Sequence, residues 1–275
     1  MGRLQGKVAL ITGAGSGFGE AIAKSFSREG AHVLVADIAT ANGQRVAQEI
    51  TDARSNESYG TAVFVQFDCT KSQAWKEGLK LAQDQFRKLD IVVNNAGTTY
   101  TKKPSTEVTE DEFDKIVAVN MKSIYHSVVI VMPYFAQRKS GIYINTSSVA
   151  GYKTRAGQVF YGGTKGFLNT VTQGLAAEWG PSNIRVNSIC PLRSATGLLE
   201  KFSGVPDTPE ERERFAQTVP LRRMGDVESI ANAAVYLASD EAGFVTGVNL
   251  PVDGGRLTGT EVRGLQGFKN TNSID

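Results

Sequence analysis

The sequence predicts an α/β protein built on one doubly wound sheet of seven mainly parallel strands, with helices on both faces. Short runs rich in β-branched residues alternate with longer segments of helical period. This alternation is typical of βα units around a parallel sheet that is buried on both faces. The chain has 275 residues, of which 41% are hydrophobic, and can form one large core. We expect a single domain over residues 1–257 and a C-terminal extension over 258–275.

Seven segments have the strand pattern and six have the helical pattern. The predicted strands are 7–12, 32–37, 62–67, 91–94, 142–146, 184–189 and 248–252. The predicted helices are 18–29, 40–51, 72–86, 110–135, 159–179 and 227–239. Residues 193–220 break the alternation with prolines and a charged run, which predicts a loop with short helices that acts as a substrate lid.

Composition excludes several kinds of partner. The chain has 30 Lys and Arg against 28 Asp and Glu, without a basic block, so we expect small-molecule partners and neither nucleic acid nor membrane. Cys69 and Cys190 lack the spacing of a disulfide framework, and His32 and His126 lack metal-ligand spacing, so no metal is expected. The first strand starts too early to follow a signal peptide, and no apolar run approaches a membrane-spanning length. We therefore expect a cytoplasmic location.

A glycine-rich loop joins the first predicted strand to the first predicted helix. It reads TGAGSGFG, with GxxxGxG spacing rather than GxGxxG. Glycine allows positive φ and close approach of a ligand, and free N–H groups at the start of a helix attract phosphate. The loop predicts a dinucleotide pyrophosphate site, although a plain flexible turn would also suit it. The candidate cofactor contacts are Gly13, Ser16, Gly17, Phe18 and Gly19.

Asp37 ends the second predicted strand, at the place where the dinucleotide pattern has an acid. Its carboxylate is expected to accept hydrogen bonds from the adenosine ribose hydroxyls and to repel a 2′-phosphate. Neither Ile38 nor the glycine loop offers Arg or Lys to such a phosphate, so NAD is predicted over NADP. The alternative is that Asp37 caps the turn before the second helix.

More candidates follow the third and fourth strands, because parallel strands bind ligands at their carboxyl ends. Asp68 and Cys69 follow the third strand, where Asp68 is placed to accept from the adenine amino group. Asn95, Ala96 and Gly97 follow the fourth, where Gly97 would let the backbone approach the cofactor. Both groups are equally compatible with ordinary turns.

Tyr161 and Lys165 are four residues apart in a predicted helix, so they lie on one face. A phenol is a poor base at neutral pH, but a neighbouring ammonium is expected to lower its pKa. Ser148, at the end of the preceding strand, is placed to hydrogen-bond a substrate oxygen beside Tyr161. The pattern predicts Tyr161 as a general acid/base; the alternative is a surface pair on a helix.

Together these motifs resemble the short-chain dehydrogenase/reductase family over about residues 6–257. TGAGSGFG is similar to its TGxxxGxG, NNAG to its motif after strand four, and Ser148 precedes Tyr161 by the family's 13 residues. The segments IRVNSICP and NLPVDGG also resemble family signatures. The resemblance implies a Rossmann-like fold, hydride transfer between NAD(H) and an alcohol/carbonyl pair, and a homotetramer.

The resemblance also implies roles for individual residues. Lys165 would bind the nicotinamide ribose and lower the pKa of Tyr161, Ser148 would polarise the substrate carbonyl, and Asn120 would link the proton to solvent. The implied contacts of the nicotinamide end are Pro191, Ser194 and Thr196.

The sequence departs from the family pattern in two places. Leu192 stands where the family has glycine, which puts the nicotinamide pocket in doubt. Gly162 and Gly163 form the small pair inside YGGTK, where each costs helix propensity. This pair indicates either close packing or a loose first turn.

Three other functions agree less well with the sequence. A non-catalytic NAD sensor would be expected to lose the tyrosine or the lysine, and both are present. A 3-oxoacyl-carrier-protein reductase-like enzyme fits the general pattern, but Asp37 separates the chain from NADP-linked members. A sugar-nucleotide epimerase or dehydratase would need a larger substrate domain. The sequence leaves the substrate open among sugars, polyols, steroid-like alcohols, hydroxyacyl groups and small secondary alcohols, with oxidation favoured by the oxidised state of cellular NAD.

Overall fold

The computed structural model describes residues 2–53, 59–194 and 199–259, and over these residues the β-branched runs form one seven-stranded sheet. The strands are β1 (Val8–Thr12), β2 (His32–Asp37), β3 (Ala62–Gln66), β4 (Ile91–Asn94), β5 (Gly141–Thr146), β6 (Ile184–Pro191) and β7 (Asn249–Val252). Their order is β3-β2-β1-β4-β5-β6-β7, and all neighbouring pairs are parallel. The predicted doubly wound α/β fold is confirmed.

Nine α-helices connect or follow these strands within the described ranges. They are α1 (Gly17–Arg28), α2 (Thr40–Asp52), α3 (Ser72–Phe86), α4 (Glu110–Val117), α5 (Ser123–Arg138), α6 (Val159–Trp179), α7 (Leu199–Ser203), α8 (Pro209–Ala216) and α9 (Val227–Ala238). The prediction of one helix over 110–135 is wrong in detail, because a π-helical turn, Ala118–Lys122, separates α4 from α5. Helix α5 also continues past Pro133 and ends where Lys139 takes a φ of +50°.

Successive residues of a strand point to opposite faces of the sheet, and a layer of helices covers each face. In β1, Ala9 and Ile11 belong to the core layer that includes Phe26 of α1 and residues of α9. Val8 and Leu10 belong to the opposite layer, which includes residues of α3 and α5. All four β1 side chains are fully buried. The carboxyl ends of the strands are therefore held at fixed positions by two packed layers.

One helical run, 110–138, is long and apolar enough by length and composition to cross a membrane, with a mean hydropathy of 1.4 over its most apolar window. This differs from the sequence expectation that no apolar run approaches that length. One side of the run belongs to the core, since Val131, Met132 and Phe135 are buried and Phe135 packs edge-on against Tyr143. Packing on the sheet explains the apolar character of that side, whereas Tyr125 and Val129 are exposed.

Residues 193–220 contain the short helices α7 and α8, in agreement with the sequence expectation for this segment. Thr208 caps α8 by accepting a hydrogen bond from the N–H of Glu211. Two aromatic side chains reach inward from the helices: Phe202 packs against Tyr161, and Phe215 is buried. The segment thus forms one wall above the sheet, while its action as a lid stays a prediction. Of the predicted extension, only Thr258 and Gly259 belong to the described residues.

Candidate active site

The glycine loop has a fixed conformation that only glycine suits. Gly13 and Gly17 have φ values of +63° and +56°, in the left-handed region. A Cβ at Gly19 would overlap the carbonyl oxygen of Gly13 and lie 2.5 Å from the amide nitrogen of the Asn95 side chain. These constraints argue against a merely flexible turn. The loop brings its backbone to the start of α1, where N–H groups are free to meet an anion.

Hydrogen bonds join the glycine loop to the ends of β4 and β5. The Thr12 hydroxyl accepts from the N–H groups of Asn95 and Ala96 at 3.1 and 3.0 Å. The Asn95 side chain donates to the carbonyl oxygens of Thr12 and Gly13 and accepts from the Thr146 hydroxyl. Asn95 therefore holds three strand ends together through its side chain, as a positioning residue.

Asp37 performs the turn-capping role that was its alternative interpretation, and it also lines the central cavity. Its carboxylate accepts from the N–H of Gly15 at 2.7 Å and from the N–H of Ala39 at 2.8 Å. The residue is 8% exposed and borders the cavity beside the glycine loop. Its position thus suits a ribose hydroxyl as well as the turn.

The sequence interpretation missed a cation near this end of the site. Arg45 of α2 donates from Nη2 to the carbonyl oxygen of Gly15 at 3.1 Å. The same guanidinium pairs with Glu20 at 2.7 Å and Glu49 at 2.9 Å. Lys24 pairs with the same two carboxylates, both at 2.6 Å, so among the described residues the cluster has two cations and two carboxylates and leaves Asp37 as the unpaired charge at the loop.

Tyr161 and Lys165 lie on one buried face of α6, so the alternative of a surface pair is wrong. Tyr161 is 7% exposed and Lys165 4%. The Lys165 Nζ donates to the carbonyl oxygen of Thr146 at 2.7 Å and lies 5.9 Å from the centre of the Tyr161 ring. Ser148 lines the same cavity, and its hydrogen-bonding interaction lowers the pKa of the Tyr161 phenol. The three predicted side chains thus converge at the end of β5.

Burial has the largest effect on the pKa values of Tyr161 and Lys165. It raises the pKa of Tyr161 to about 12, against the opposing effect of the Ser148 hydrogen bond. It lowers the pKa of Lys165 to about 8. Lys165 is not among the groups that shift the tyrosine pKa, so the expected lowering by the ammonium stays a prediction, and removal from water is the largest cause of both shifts. At neutral pH the phenol is protonated and can donate to a carbonyl oxygen.

Asn120 lies behind the site in the π-helical turn, with its side chain fully engaged. Its Oδ1 accepts from the N–H of Thr98 at 2.9 Å, and its Nδ2 donates to the Thr98 carbonyl and the Thr164 hydroxyl. The residue is buried. Asn120 therefore ties the loop after β4 to α6. A proton relay through it would have to use its backbone, and this role stays a prediction.

The two glycines between Tyr161 and Lys165 differ in their surroundings. A Cβ at Gly162 would overlap the Thr154 side chain and lie 3.2 Å from the Ala150 carbonyl oxygen. A Cβ at Gly163 would meet no atom within 4 Å. Close packing thus explains Gly162, whereas the packing gives no reason for Gly163.

A cavity of about 440 Å³ at the carboxyl ends of the strands brings most of the predicted residues together. The predicted residues that line it are Gly13, Ser16, Gly17, Phe18, Asp37, Asn95, Ala96, Gly97, Ser148, Tyr161, Lys165, Pro191 and Ser194. Leu192 also lines it and packs in a small cluster with Phe215 and Val219, so the leucine is accommodated within the wall. Thr196 lies outside the described residues.

Asp68 and Cys69 are described residues that do not line this cavity. The Asp68 carboxylate accepts from the N–H and the hydroxyl of Thr70, at 2.9 and 2.7 Å, in the ordinary strand-end turn that was its alternative. Cys69 is buried, and burial raises the pKa of its thiol to about 12. The structure thus supplies no contact that supports their predicted cofactor roles.

The lining residues that the sequence interpretation missed include Arg155, Gln158, Arg193 and Phe202. Gln158 is buried and bridges the loop after β4, accepting from the Thr99 hydroxyl and donating to the Tyr100 carbonyl. All four lie in loops, at a helix start or in a very short helix, where no periodic pattern marks them.

Comparison with known proteins agrees with this geometry. The family model described as enoyl-(acyl carrier protein) reductase matches residues 13–256. The chain is 42% identical to 4-formylbenzenesulfonate dehydrogenase TsaC1/TsaC2 of Comamonas testosteroni, over 92% of this chain and 98% of that protein. It is 35% identical to 2,5-dichloro-2,5-cyclohexadiene-1,4-diol dehydrogenase LinX of Sphingobium indicum, over 94% and 98% of the respective chains.

A solved structure of a reductase is also similar to this chain. The 3-ketoacyl-(acyl-carrier-protein) reductase from Brucella melitensis, in complex with NADH, matches with a TM-score of 0.84 and 36% identity. The match covers 92% of this chain and 99% of that one. The matched family model and these relatives show that this chain belongs to the short-chain dehydrogenase/reductase family and is an oxidoreductase of alcohol and carbonyl groups.

Proposed function

We propose that the chain is an NAD-dependent enzyme in which Tyr161 exchanges a proton with the oxygen of an alcohol or carbonyl substrate. The observation that carries this proposal is the convergence of Ser148 with the buried side chains of Tyr161 and Lys165 at the end of β5. These three residues and the glycine loop line the same cavity. Cofactor and substrate could therefore meet at the phenol.

The residues at the glycine loop fit a dinucleotide. Because a Cβ at Gly19 would overlap Gly13, and because Gly13 and Gly17 have positive φ, the loop keeps an open backbone surface at the start of α1. Ser16 and Asp37 would hold the cofactor at this end, and Lys165 at the other. When bound, the nicotinamide supplies or accepts the hydride.

The proton is handled by the chain's own side chains. In reduction, the protonated Tyr161 donates to the carbonyl oxygen as that oxygen gains negative charge. Ser148 holds the same oxygen with a second hydrogen bond, which favours the charge that develops. Lys165 keeps a positive charge near the phenolate that remains, and charge of this sign stabilises it. In oxidation the same steps run in reverse.

The preference for NAD is argued from charge. Asp37 places a carboxylate at the cavity wall beside Gly15, where a 2′-phosphate would be repelled. Arg45 and Lys24 lie near this point, and both pair with Glu20 and Glu49, so the charges of this cluster balance one another.

We also infer a homotetramer in the cytoplasm. Phe113 of α4, Tyr125 and Val129 of α5, and Phe160 of α6 are exposed, and Phe113 packs edge-on against Phe160. Exposed apolar side chains on neighbouring helices are typical of an interface between subunits. The cytoplasmic location rests on the sequence pattern alone, and residues 193–220 are proposed as the substrate lid.

The proposal is tested by following nicotinamide absorbance over a panel of alcohols, aldehydes and ketones, with NAD(H) and NADP(H) in parallel. Aryl aldehydes and cyclic diols belong in the panel because the names of two relatives contain such compounds. A 3-oxoacyl thioester tests the carrier-protein reductase alternative, which the Brucella structure favours. Turnover with NAD(H) is expected. Binding of NAD without turnover of any member would favour the sensor alternative instead.

A further inference from the structure

We propose that the substrate carries an anionic group, a carboxylate or a sulfonate, and that Arg155 and Arg193 bind it in the part of the cavity away from the glycine loop. This inference rests on the proposed function, because it names the substrate class of the same site. It concerns binding of the substrate, and the chemistry at Tyr161 is unchanged by it.

The two arginines are held over one aromatic ring, that of the buried Phe215, beside the cavity. Both line the cavity that Tyr161 lines. The guanidinium carbon of Arg193 lies 4.6 Å from the centre of the Phe215 ring, and that of Arg155 lies 5.6 Å from the same centre. Stacking on a ring fixes the plane of a guanidinium and leaves its N–H edges available. Two such edges in one wall are suited to the oxygens of a carboxylate or sulfonate.

The positive charge of this pair is not balanced by neighbouring carboxylates. Within the described part of the chain, neither arginine forms an ion pair, whereas Arg212 and Arg223 pair with Asp207 and Asp226. Arg193 donates instead to a backbone carbonyl, at 3.3 Å. Among the described residues no carboxylate compensates the pair, which suits it to an anion bound in the cavity.

Other charged groups around the pair do not remove this imbalance. Glu211 is the carboxylate that attracts Arg193, and it is already paired with Arg214 at 2.7 Å. Arg256 adds a third positive charge that acts on both arginines. Partial removal from water, followed by these like charges, lowers the pKa of Arg155 to about 10. Arg155 keeps an exposed surface, so an incoming ligand can reach it.

An apolar wall connects the arginines to the proton donor. Phe202 packs edge-on against Tyr161 with ring centres 5.0 Å apart, and its carbonyl oxygen accepts the hydrogen bond from Arg193. Leu192 and Val149 also line the cavity. A substrate that reaches both ends would have a carbonyl or hydroxyl at Tyr161, an apolar body along this wall and an acid group at the arginines.

The test compares 4-formylbenzoate with its methyl ester, which has the same aldehyde and ring but no charge. Binding is measured by calorimetry on the full chain saturated with NAD⁺, so that no hydride is available to the aldehyde. Because hydrogen bonds to charged groups contribute about 1.5–3 kcal/mol, the wild type should bind the acid at least about tenfold more tightly than the ester. Failure of the acid to bind, or equal affinities, would overturn the inference.

Variants then locate the anion site. Arg193→Gln and Arg155→Gln should each lower the ratio of acid to ester affinity by about tenfold, and the corresponding Lys variants should recover part of it because they keep the charge. Arg223→Gln is the matched control, since Arg223 pairs with Asp226 on the surface, and it should leave the ratio unchanged. An equal loss for both ligands in the glutamine variants would mean a structural role and would contradict the proposal.

A separate measurement tests the reaction. NADH consumption is followed with the same two aldehydes. No consumption with either compound would count against the proposed function for this substrate class, while the affinity ratio would still decide the anion site. The proposed function and the anion site can therefore be refuted independently of each other.

Discussion

Lys165 donates a 2.7 Å hydrogen bond from its Nζ to the carbonyl oxygen of Thr146, the last residue of β5. An ammonium group has three protons, so one is used to anchor the side chain and two remain available. The strand end thus fixes the position of a buried cation next to Tyr161. Because Lys165 is buried, the protonation state of its side chain affects the stability of the folded protein.

The first prediction concerns stability against pH. Burial lowers the pKa of Lys165 from the ordinary 10.5 to about 8. Between these values the unfolded chain holds a proton that the folded chain has lost, so this residue makes the free energy of unfolding rise with pH. Lys165→Met removes that rise. The stability of the variant relative to wild type should therefore fall by up to about 3 kcal/mol from pH 8 to pH 10.

Urea unfolding at several pH values measures this difference. The thiols of Cys69 and Cys190 and the phenol of Tyr161, whose pKa values are raised by burial, are common to both proteins. Their effects largely cancel in the comparison. A stability difference that does not change with pH would contradict the lowered pKa of Lys165.

The second prediction concerns the proton donor. Tyr161→Phe removes the phenol oxygen and keeps the ring that packs against Phe202. Turnover should fall by about 10² to 10⁴-fold, the usual contribution of a general acid/base, while NAD binding measured by fluorescence titration stays unchanged. Tyr236→Phe, on the exposed side of α9, is the control. Substantial remaining activity in Tyr161→Phe would refute the assignment.

The third prediction concerns cofactor choice. Asp37→Ala removes the carboxylate that lines the cavity, so the ratio of kcat/KM for NAD to that for NADP should fall about tenfold or more. The variant should also be less stable, because the N–H groups of Gly15 and Ala39 lose their acceptor. Asp52→Ala, at the end of α2, is the control. Since the measurement is a ratio, general destabilisation does not mimic the result, and an unchanged ratio would exclude the ribose role.

The fourth prediction contrasts two glycines. Gly19→Ala places a Cβ against the Gly13 carbonyl oxygen, so both the melting temperature and the affinity for NAD should fall. Gly174→Ala, in α6, meets no atom within 4 Å and should stabilise the chain by about 0.5–1 kcal/mol. Thermal unfolding with and without NAD distinguishes the two. Equal effects of both substitutions would mean that the loop is not closely packed.

The fifth prediction concerns assembly. Light scattering at micromolar concentration should give the mass of a tetramer, because Phe113, Tyr125 and Phe160 expose apolar surface on neighbouring helices. Tyr125→Asp puts a charge on that surface and should lower the average mass. A monomeric wild type would exclude the proposed assembly.

The sequence predicts the strands well because the five inner strands have short runs that are largely buried, while the edge strands β3 and β7 have half-buried runs between turn residues. The helix over 110–135 was predicted less well, since the apolar pattern runs through the π-helical turn without a break. The turn is explained by a tertiary contact, in which the Asn120 side chain reaches the backbone of Thr98. Local periodicity carries no signal for such a contact.

In the candidate site, too, local sequence pattern predicts some features, while others depend on tertiary contacts. Tyr161 and Lys165 could be predicted because helical spacing fixes their relation, but the pKa of the phenol could not, since it depends on burial by neighbours such as Phe202. Asp68 suits a turn and a ligand equally well in sequence. Arg155 and Arg193 lie far apart in the chain and meet only over a ring that the segment 193–220 provides.

The π-helical turn Ala118–Lys122 requires a fixed number of residues between α4 and α5. Such a turn contains one residue more than a regular helical turn would. Loss of one residue here would leave an acceptable helix, yet it would rotate one side of it by about 100° relative to the other, since 3.6 residues make a turn. Asn120 would then point away from Thr98 and Thr164. A single-codon deletion in this stretch is thus expected to yield a folded but inactive protein, even where individual substitutions are tolerated.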